Sequence, residues 1–389
     1  MLTENRLFLL LRFHFKRDQT MSSTTLNKTP LHDWHLQSGA FMTDFGGWHL
    51  PVRYQSDKQE HQAVREAVGL FDVSHMGELL VEGASAADLL QYTTCNDISK
   101  IPVGAARYNA LTTPAGGAWD DLLVYRLAEE RYLLVVNAAN QDQDFNWLQE
   151  QNSQFGANLR NVGSDYALLA LQGPLAVDVL ESISDLPVRD LRYYHFLEGE
   201  LLGCPVLLSR TGYTASDGFE LYLSPQHAGA IWTKLLEGGA SFGIEPCGLS
   251  ARDSLRLEGG LHLYGHELGQ DISLYEAGLG WIIKPEKGDF IGKEALLRSK
   301  ENPQRKLVGF QMQEFGIPRH GFPILNQEEQ TVGSVTSGLL SPTLNAPIGM
   351  AYVPTELSEI SSTFLVQVRK RRLAAEVVRL PFYQISRST

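Results

Sequence analysis

The first half of the chain contains short, largely apolar segments separated by glycine and polar residues, a pattern that predicts β-strands. Segments with this pattern occur at 78–81, 107–113, 122–127 and 132–137. The last two flank a polar turn and predict an antiparallel hairpin. Apolar residues at helical spacing predict helices over 85–92 and from Gln141 onward, with Ser85 and Asn140 as N-caps.

The alternation of strands and helices is then repeated. Apolar runs predict further strands at 167–171, 205–208 and 219–223. Helical spacing predicts helices from Gly173-Pro174 to about residue 183, over 228–236 and over 249–259. Strands and helices mixed in this way predict an α+β fold.

A polar stretch at 299–306 separates this region from a C-terminal part of different character. The chain after it has five short apolar strands separated by turn residues, at 307–312, 331–336, 348–353, 363–368 and 374–379. Strands of this length and spacing predict a small all-β barrel. We therefore expect an N-terminal extension over 1–28, an α+β region over 29–298 and a barrel over 304–385.

Bulk composition is that of a globular protein and narrows the possible functions. The chain has 389 residues, too many for one ordinary core, and 43% of them are hydrophobic. Its formal net charge of −12 argues against nucleic acid as a partner, because phosphate binding relies on an excess of lysine and arginine. Cys95, Cys204 and Cys247 are far apart, which favours a reducing compartment and predicts neither a disulfide framework nor a metal site.

The N-terminal extension has basic residues among apolar ones, a composition shared by transit peptides. Glu4 and Asp18 weaken that interpretation, and the apolar run at 7–11 is too short to span a bilayer. We favour the alternative of a disordered extension or an upstream start, with Met21 as the natural first residue.

The segment Gly116-Gly-Ala-Trp-Asp-Asp-Leu122 places two adjacent carboxylates between a glycine turn and an apolar strand. Because side chains alternate along a strand, we expect one of Asp120 and Asp121 to face solvent and the other an interior or a cleft. An inward carboxylate needs a partner, which a ligand amine or amide can supply. We place the chemistry at the inward aspartate, although a solvated pair at a strand entrance has the same pattern.

Two further segments carry polar groups suited to a ligand. In the loop 210–220, Tyr213 offers an aromatic face and Glu220 a pair of acceptors, although a surface tyrosine and a strand glutamate explain the pattern equally well. Arg252 and Arg256 are four residues apart on one face of a predicted helix, and Asp253 and Glu258 are expected elsewhere on its surface. In this position Arg252 can hold an acid by a bidentate contact. An ion-pair network within the helix is the alternative.

Other candidate groups have simpler explanations. His75 lies at a strand entrance without a nucleophile in a recognisable elbow, so we expect it to be structural, with Met76 as a candidate pocket lining. The basic run 369–372 lies between two predicted strands and is expected to be a solvated turn rather than a partner site. No glycine-rich phosphate loop occurs in the sequence.

Taken together, these segments resemble one family, the aminomethyltransferases or T-proteins of the glycine cleavage system. The resemblance runs from Thr29 to Tyr383 and is carried by ordered blocks, among them Asp44-Phe-Gly-Gly-Trp48, Phe71-Asp-Val-Ser-His-Met-Gly-Glu78, Gly116-Gly-Ala-Trp-Asp-Asp-Leu122, Leu171-Gln-Gly-Pro174, Asp217-Gly-Phe-Glu220, Gly248-Leu-Ser-Ala-Arg-Asp253 and Thr336-Ser-Gly-Leu-Leu-Ser-Pro-Thr343. It implies a ring of two interleaved α+β domains and the C-terminal barrel around a central channel that holds tetrahydrofolate. Relatives often have Gly-Glu where this chain has Ala215-Ser216, which puts the conformation of that loop in question.

The resemblance also assigns roles residue by residue. It makes Asp121, the second aspartate of its block, the catalytic residue, and it places Glu220 and Arg252 at positions that hold folate. It adds further candidate binding residues, namely Tyr108, Tyr125, Asn137, Tyr213 and Arg387.

The implied reaction transfers the one-carbon unit of an aminomethyl group from lipoylated H-protein to tetrahydrofolate, giving 5,10-methylenetetrahydrofolate, ammonia and the dihydrolipoyl arm. H-protein is then a transient partner and the P- and L-proteins are indirect ones, while metal, nucleic acid and membrane play no part. Relatives occur in the bacterial cytoplasm and the mitochondrial matrix, and the weak transit-peptide character favours the cytoplasm.

Two other functions stay open at this point. A folate-dependent demethylase would keep the pterin pocket and alter the donor side. A folate-binding protein without transferase activity would carry a cysteine motif in which none of the three cysteines lies.

Overall fold

The computed structural model describes residues 25–384 as two β-sheets with flanking helices, followed by a closed β-barrel. The predicted α+β class with a C-terminal barrel is therefore confirmed. A short N-terminal unit comes first and consists of helix α1 (His32–Gln37) and strands β1 (Phe41–Phe45) and β2 (Trp48–Arg53). Asn27, inside the predicted extension, donates its backbone N–H to the Gly47 carbonyl at 2.8 Å. The disorder predicted for residues 1–24 lies outside the described residues.

The first sheet has five antiparallel strands in the order β5-β6-β7-β4-β8. Its strands are β4 (Gly77–Glu82), β5 (Ala105–Thr112), β6 (Ala118–Ala128), β7 (Arg131–Val136) and β8 (Asn158–Asn161). Strands β6 and β7 form the predicted hairpin. Helices α3 (Ala86–Thr93) and α4 (Gln141–Asn152) cover one face of the sheet. Ser85 and Asn140 precede these helices as predicted, but neither side chain caps its helix.

The second sheet has six strands in the order β10-β11-β12-β9-β3-β13, and only the β13–β3 pair is parallel. Its strands are β3 (Val68–Asp72), β9 (Ala167–Gln172), β10 (Phe196–Leu201), β11 (Cys204–Ser209), β12 (Gly218–Leu223) and β13 (Ile244–Pro246). Its helices are α2 (Asp57–Glu66), α5 (Ala176–Ile183), α6 (Ala228–Gly239) and α7 (Leu249–Glu258). Because β3 precedes the first sheet in sequence and the other strands follow it, the two sheets are interleaved, as predicted.

Side chains of β6 alternate between the two faces of the first sheet, one covered by helices and the other facing the second sheet. Leu122 and Val124 pack under the helices, whereas Leu123 and Tyr125 pack between the two sheets. Since side chains on a strand point alternately to its two faces, Asp120 shares the helix side and Asp121 the side between the sheets.

The barrel has six strands where five were predicted. They are β14 (Arg305–Met312), β15 (Pro323–Leu325), β16 (Thr331–Ser341), β17 (Ala346–Pro354), β18 (Thr363–Val368) and β19 (Arg371–Val378). Strand β15 was missed because it has only three residues, too few to show a period of two. Helix α8 (Lys293–Glu301) runs into the polar stretch, so the division between 298 and 304 stays a prediction.

Three sequence-level properties can be checked in the described chain. No helix among residues 25–384 is long and apolar enough to cross a bilayer. All three cysteines are unpaired, and Cys95 and Cys247 are buried. Glu258 was expected on the surface of α7, but it is fully buried against the barrel, so that expectation is wrong.

Candidate functional site

A large cavity lies where the two sheets, helix α7 and the barrel meet. Its volume is ≈ 2520 Å³, whereas typical ligand pockets measure roughly 300–1,000 Å³. Every part of the fold contributes to its wall: Asp121 from the first sheet, Glu220 from the second, Arg252 from α7 and Ser337 from the barrel. This cavity corresponds to the central channel expected inside the ring of domains.

Asp121 lies in the wall of the cavity and is held by two donors. Tyr108 donates its hydroxyl to Asp121 Oδ2 at 2.9 Å, and Asn137 donates Nδ2 to Oδ1 at 2.9 Å. Tyr108 comes from the neighbouring strand β5, and Asn137 directly follows β7. Burial, and then the nearby charge of Asp120, raises the pKa of Asp121 to about 7. Asp121 can therefore accept or release a proton near neutral pH.

Asp120 does not face solvent, so the expectation that one aspartate points outward is wrong. Its side chain is fully buried on the helix side of the sheet. Oδ2 accepts the backbone N–H of Asn137 at 3.0 Å, and Oδ1 accepts Nδ2 of both Asn137 and Asn140 at 2.8 Å. The two aspartates do point to opposite faces of the sheet, as predicted, but α4 covers the face that would otherwise be exposed to solvent.

Glu220, on strand β12, occupies another part of the wall. Thr211 donates its hydroxyl to Glu220 Oε2 at 2.5 Å, while Oε1 receives no donor within residues 25–384. Burial raises the pKa of Glu220, and the Thr211 hydrogen bond and the Arg252 charge oppose that rise. Tyr125 lies behind this wall, fully buried, with its hydroxyl 3.2 Å from Thr211 Oγ1. It supports Glu220 from behind and does not line the cavity.

Arg252 lines the cavity and has no ion-pair partner among residues 25–384. Its guanidinium carbon lies 4.7 Å from the centre of the Tyr213 ring. Arg256, one turn further along α7, pairs with Asp253 at 2.8 Å and with Glu267 at 2.9 Å. The ion-pair network weighed for this helix therefore belongs to Arg256. Arg252 remains available to an anionic or carbonyl group of a ligand.

Two family models match this chain. The model described as the GCVT N-terminal domain matches residues 31–287, and the model described as the glycine cleavage T-protein C-terminal barrel domain matches residues 305–384. Together the two matches span most of the chain. The chain belongs to the glycine cleavage T-protein family.

Relatives of this T-protein share an enzyme name. It is 50% identical over 363 residues to the aminomethyltransferase of Halalkalibacterium halodurans, covering 93% of this chain and 99% of the relative. It is 48% identical over 362 residues to the aminomethyltransferase of Desulfitobacterium hafniense strain Y51, with 93% and 99% covered.

A solved structure agrees with these relatives. The crystal structure of glycine cleavage system aminomethyltransferase T from Bartonella henselae matches this T-protein with a TM-score of 0.87 at 36% identity, covering 92% and 99% of the two chains. The resemblance drawn from sequence blocks is thereby confirmed, and the chain is an aminomethyltransferase.

The cavity of this T-protein also contains aromatic residues that the sequence analysis missed. Trp281 stacks on Tyr108 with ring centroids 6.0 Å apart and is 61% exposed. Tyr194 lines the wall with φ at 60°, a conformation that residues other than glycine rarely adopt. A tryptophan directly after two closely spaced glycines, Gly278 and Gly280, was a usable signal for Trp281. Tyr194 gives no such signal.

His75 was expected to be structural, and this T-protein places it in the cavity wall. Its side chain is 2% exposed, and Nδ1 has no hydrogen-bond partner in the part of the chain that is described. Burial, followed by the nearby Arg252 charge, lowers the pKa of His75 to about 4, so the imidazole is neutral near pH 7. Met76, the candidate pocket lining, is in the wall as well.

Two predictions concerned basic residues near the C-terminus, namely Arg387 and the run 369–372. Arg387 lies outside the described residues, so its binding role stays a prediction. Arg369 and Lys370 form the turn between β18 and β19, as expected, and Arg371 begins β19. All three line the cavity. Residues 25–384 contain no group of three side chains suited to hold a metal ion.

Proposed function

We propose that this aminomethyltransferase moves the one-carbon unit of an aminomethyl group from the lipoyl arm of H-protein to tetrahydrofolate. The products are 5,10-methylenetetrahydrofolate, ammonia and the dihydrolipoyl arm. One observation carries the proposal: Asp121, with its pKa raised to about 7, is fixed by Tyr108 and Asn137 in the wall of a cavity of ≈ 2520 Å³. That volume suits two substrates meeting at one carboxyl group.

The polar groups of the cavity wall match those of a reduced folate. The 2-amino-4-oxo edge of a pterin presents paired N–H donors, and Glu220 Oε1 is an acceptor without a donor among residues 25–384. Arg252 supplies donors for an oxygen or carboxylate of the same molecule. Tyr108 and Trp281 add aromatic surface next to Asp121. These residues would hold tetrahydrofolate, whose nitrogen atoms supply the acceptor for the carbon.

Asp121 orients the reaction and handles charge. Its carboxylate accepts a hydrogen bond from the acceptor nitrogens, and it offsets the positive charge that develops on the carbon as the amine leaves. A carboxyl group with a pKa near 7 can take up a proton as the new carbon–nitrogen bonds form. Two protons leave the nitrogens in all, one completing ammonia and the other completing the thiol of the lipoyl arm.

The partner and the location follow from the same proposal. H-protein reaches the cavity transiently by its lipoyl arm, and the P- and L-proteins act on H-protein rather than on this chain. The cytoplasmic location favoured by the sequence stays a prediction.

The deciding experiment supplies aminomethylated lipoyl H-protein and tetrahydrofolate, and it measures methylenetetrahydrofolate and ammonia. We expect both products in equal amounts. Asp121→Asn should lower turnover by about 10²–10⁴-fold, the usual contribution of a positioned acid–base group. Tetrahydrofolate affinity, measured by calorimetry, should change little. Asp165→Asn, at an exposed aspartate away from the cavity, is the matched control.

Two results would contradict the proposal. Unchanged turnover in Asp121→Asn would remove its catalytic role. Turnover with a methylated amine or sulfur donor, but none with H-protein, would indicate a folate-dependent demethylase instead.

A further inference from the structure

A second buried carboxyl group lies behind Asp121, on the helix side of the first sheet. Asp144, in the first turn of α4, is fully buried and lies close to Asp120 and to the indole of Trp119. Neither Asp144 oxygen has a hydrogen-bond partner in the described chain if both carboxyl groups are ionised, and Trp119 Nε1 has none either. Two buried carboxyl groups this close together, one of them without a donor, need an explanation.

A single proton supplies that explanation. An ionised carboxylate only accepts hydrogen bonds, so two ionised carboxylates side by side cannot bond to each other. Asp120 already accepts three N–H groups, from Asn137 and Asn140, and these favour its charged form. Asp144 receives no such donors from Asn137 or Asn140. The proton therefore belongs on Asp144, which then donates to Asp120.

Asn137 connects this pair to the cavity. Its Nδ2 lies 2.8 Å from Asp120 Oδ1 and 2.9 Å from Asp121 Oδ1, so one amide group contacts carboxyl groups on both faces of the sheet. Its backbone N–H is fixed by Asp120 Oδ2 at 3.0 Å. Asn137 is one of the two donors to Asp121, and its position depends on Asp120 being ionised and immobile.

We propose that Asp144 holds a proton that it donates to Asp120, and that this acid–carboxylate pair positions Asn137 and, through it, Asp121. The proposal rests on the proposed role of Asp121 and makes Asp144 a positioning residue for the transfer. Burial, followed by the nearby charge of Asp120, raises the pKa of Asp144 to about 11, which agrees with an acid that stays protonated at neutral pH.

The remaining titratable groups near the pair leave this assignment unchanged. Tyr108 on β5 faces Asp121 and donates to it. Burial, followed by the nearby charge of Asp120, raises the pKa of Tyr264, in the segment after α7, to about 12. Both tyrosines are therefore neutral near pH 7, and Asp121 is the group beside the pair that changes its charge near that pH.

The first test observes the proton directly in substrate-free protein. Infrared difference spectra between wild type and Asp144→Asn should show the loss of one carbonyl band of a protonated carboxylic acid. Glu78 is another buried carboxyl group without a donor in residues 25–384, so Glu78→Gln should remove a different band. If Asp144→Asn leaves every such band in place, or if Asp120→Asn removes the band instead, the assignment is wrong.

The second test compares Asp144→Asn with Asp144→Leu in the transfer assay. Asparagine keeps a neutral donor for Asp120 and an acceptor for Trp119, so kcat should stay within about 3-fold of wild type. Leucine removes both and should lower kcat by about 10–100-fold, because Asn137 loses its fixed partner. The KM for tetrahydrofolate should change little. Asp142→Leu, at an exposed residue of the same helix turn, is the control.

The pH profile separates positioning from a merely structural effect. Burial raises the pKa of Asp120, and the hydrogen bond from Asp144 opposes that rise. Without this donor the pKa of Asp120 rises further, and its charge is lost at higher pH. The Asp120 charge that helps to raise the pKa of Asp121 then disappears, so the pKa of Asp121 falls. In Asp144→Leu, the acid limb of the pH profile of kcat should therefore move to lower pH. An unshifted limb, or an asparagine variant as impaired as the leucine one, would refute the proposal.

The two proposals can fail separately. Loss of the infrared band together with full turnover in Asp121→Asn would leave the proton on Asp144 and remove the catalytic role of Asp121. If Asp144→Leu does not fold, the infrared comparison still decides whether Asp144 holds the proton.

Discussion

The buried Glu258 should fasten the barrel to helix α7, and replacing it tests that contact quantitatively. Its carboxylate accepts hydrogen bonds from Ser341 Oγ at 2.5 Å and Thr343 Oγ1 at 2.7 Å, both in the barrel. On the other side it pairs with Arg65 at 3.0 Å and lies 3.2 Å from His61 Nε2. Since α7 also carries Arg252, this contact helps to fix the wall of the cavity.

The expected magnitude follows from the ionisation of Glu258. Burial alone would raise its pKa, but the hydrogen bond and charge of His61 and the hydroxyl donors outweigh burial and lower the pKa to about 2 from 4.5. A difference of about 2.5 units corresponds to about 3 kcal/mol of folding free energy. Because the folded pKa is the lower one, this stability is complete above pH 4.5 and is lost as the pH falls toward 2.

Glu258→Gln should therefore lose about 3 kcal/mol at pH 7, and less as the pH approaches 2. Urea unfolding at a series of pH values measures this, followed by far-ultraviolet circular dichroism and by tryptophan fluorescence. All six tryptophans precede residue 282, so fluorescence reports on the two sheets and circular dichroism on the barrel as well.

The matched control is Glu294→Gln, at a carboxylate that is 89% exposed and 3.7 Å from Arg298. An exposed pair contributes little, so this variant should unfold like wild type. The reasoning fails if Glu258→Gln is as stable as Glu294→Gln at pH 7, or if their difference stays constant from pH 7 down to pH 3.

Two further variants probe the neighbouring walls. Ala215 has φ at 50°, where a side chain costs about 1 kcal/mol relative to glycine, so Ala215→Gly should raise the melting temperature; an unchanged or lower value would contradict this. Thr211→Val removes the hydroxyl that fixes Glu220 and should raise the KM for tetrahydrofolate about 5–10-fold with kcat nearly unchanged, whereas an unchanged KM would show that Glu220 needs no such support.

Local patterns predicted the elements that carry the site. The hairpin of β6 and β7 follows from two apolar runs on either side of a polar turn. Because side chains alternate along a strand, Asp120 and Asp121 point to opposite faces. The barrel followed from the spacing of its longer strands. In each case the deciding information lies within about ten residues of sequence, which is the range over which strand and turn preferences act.

What the sequence could not predict depends on contacts between distant segments. Asp120 was expected to be one candidate for solvent exposure, and only the packing of α4 shows that both faces of β6 are covered. Glu258 looks like a surface residue of α7 until the barrel is placed against it. Tyr125 alternates toward the cavity side, yet Thr211 and Tyr222 from the second sheet enclose its hydroxyl. Each of these outcomes needs a partner more than 80 residues away or a helix packed over the sheet.

The adjacency of Asp120 and Asp121 gains a physical meaning from this packing. Two neighbours on a strand lie on opposite faces, yet both remain within reach of one side chain at the end of the next strand, and Asn137 contacts both. Moving either aspartate by one residue would turn its side chain to the other face and break that contact. The sheet thus separates a solvent-accessible carboxyl group from a buried one, while a single amide keeps them coupled. A change in the charge of Asp120, on the helix side of the sheet, therefore alters Asp121 in the cavity, although no residue of α4 lines that cavity.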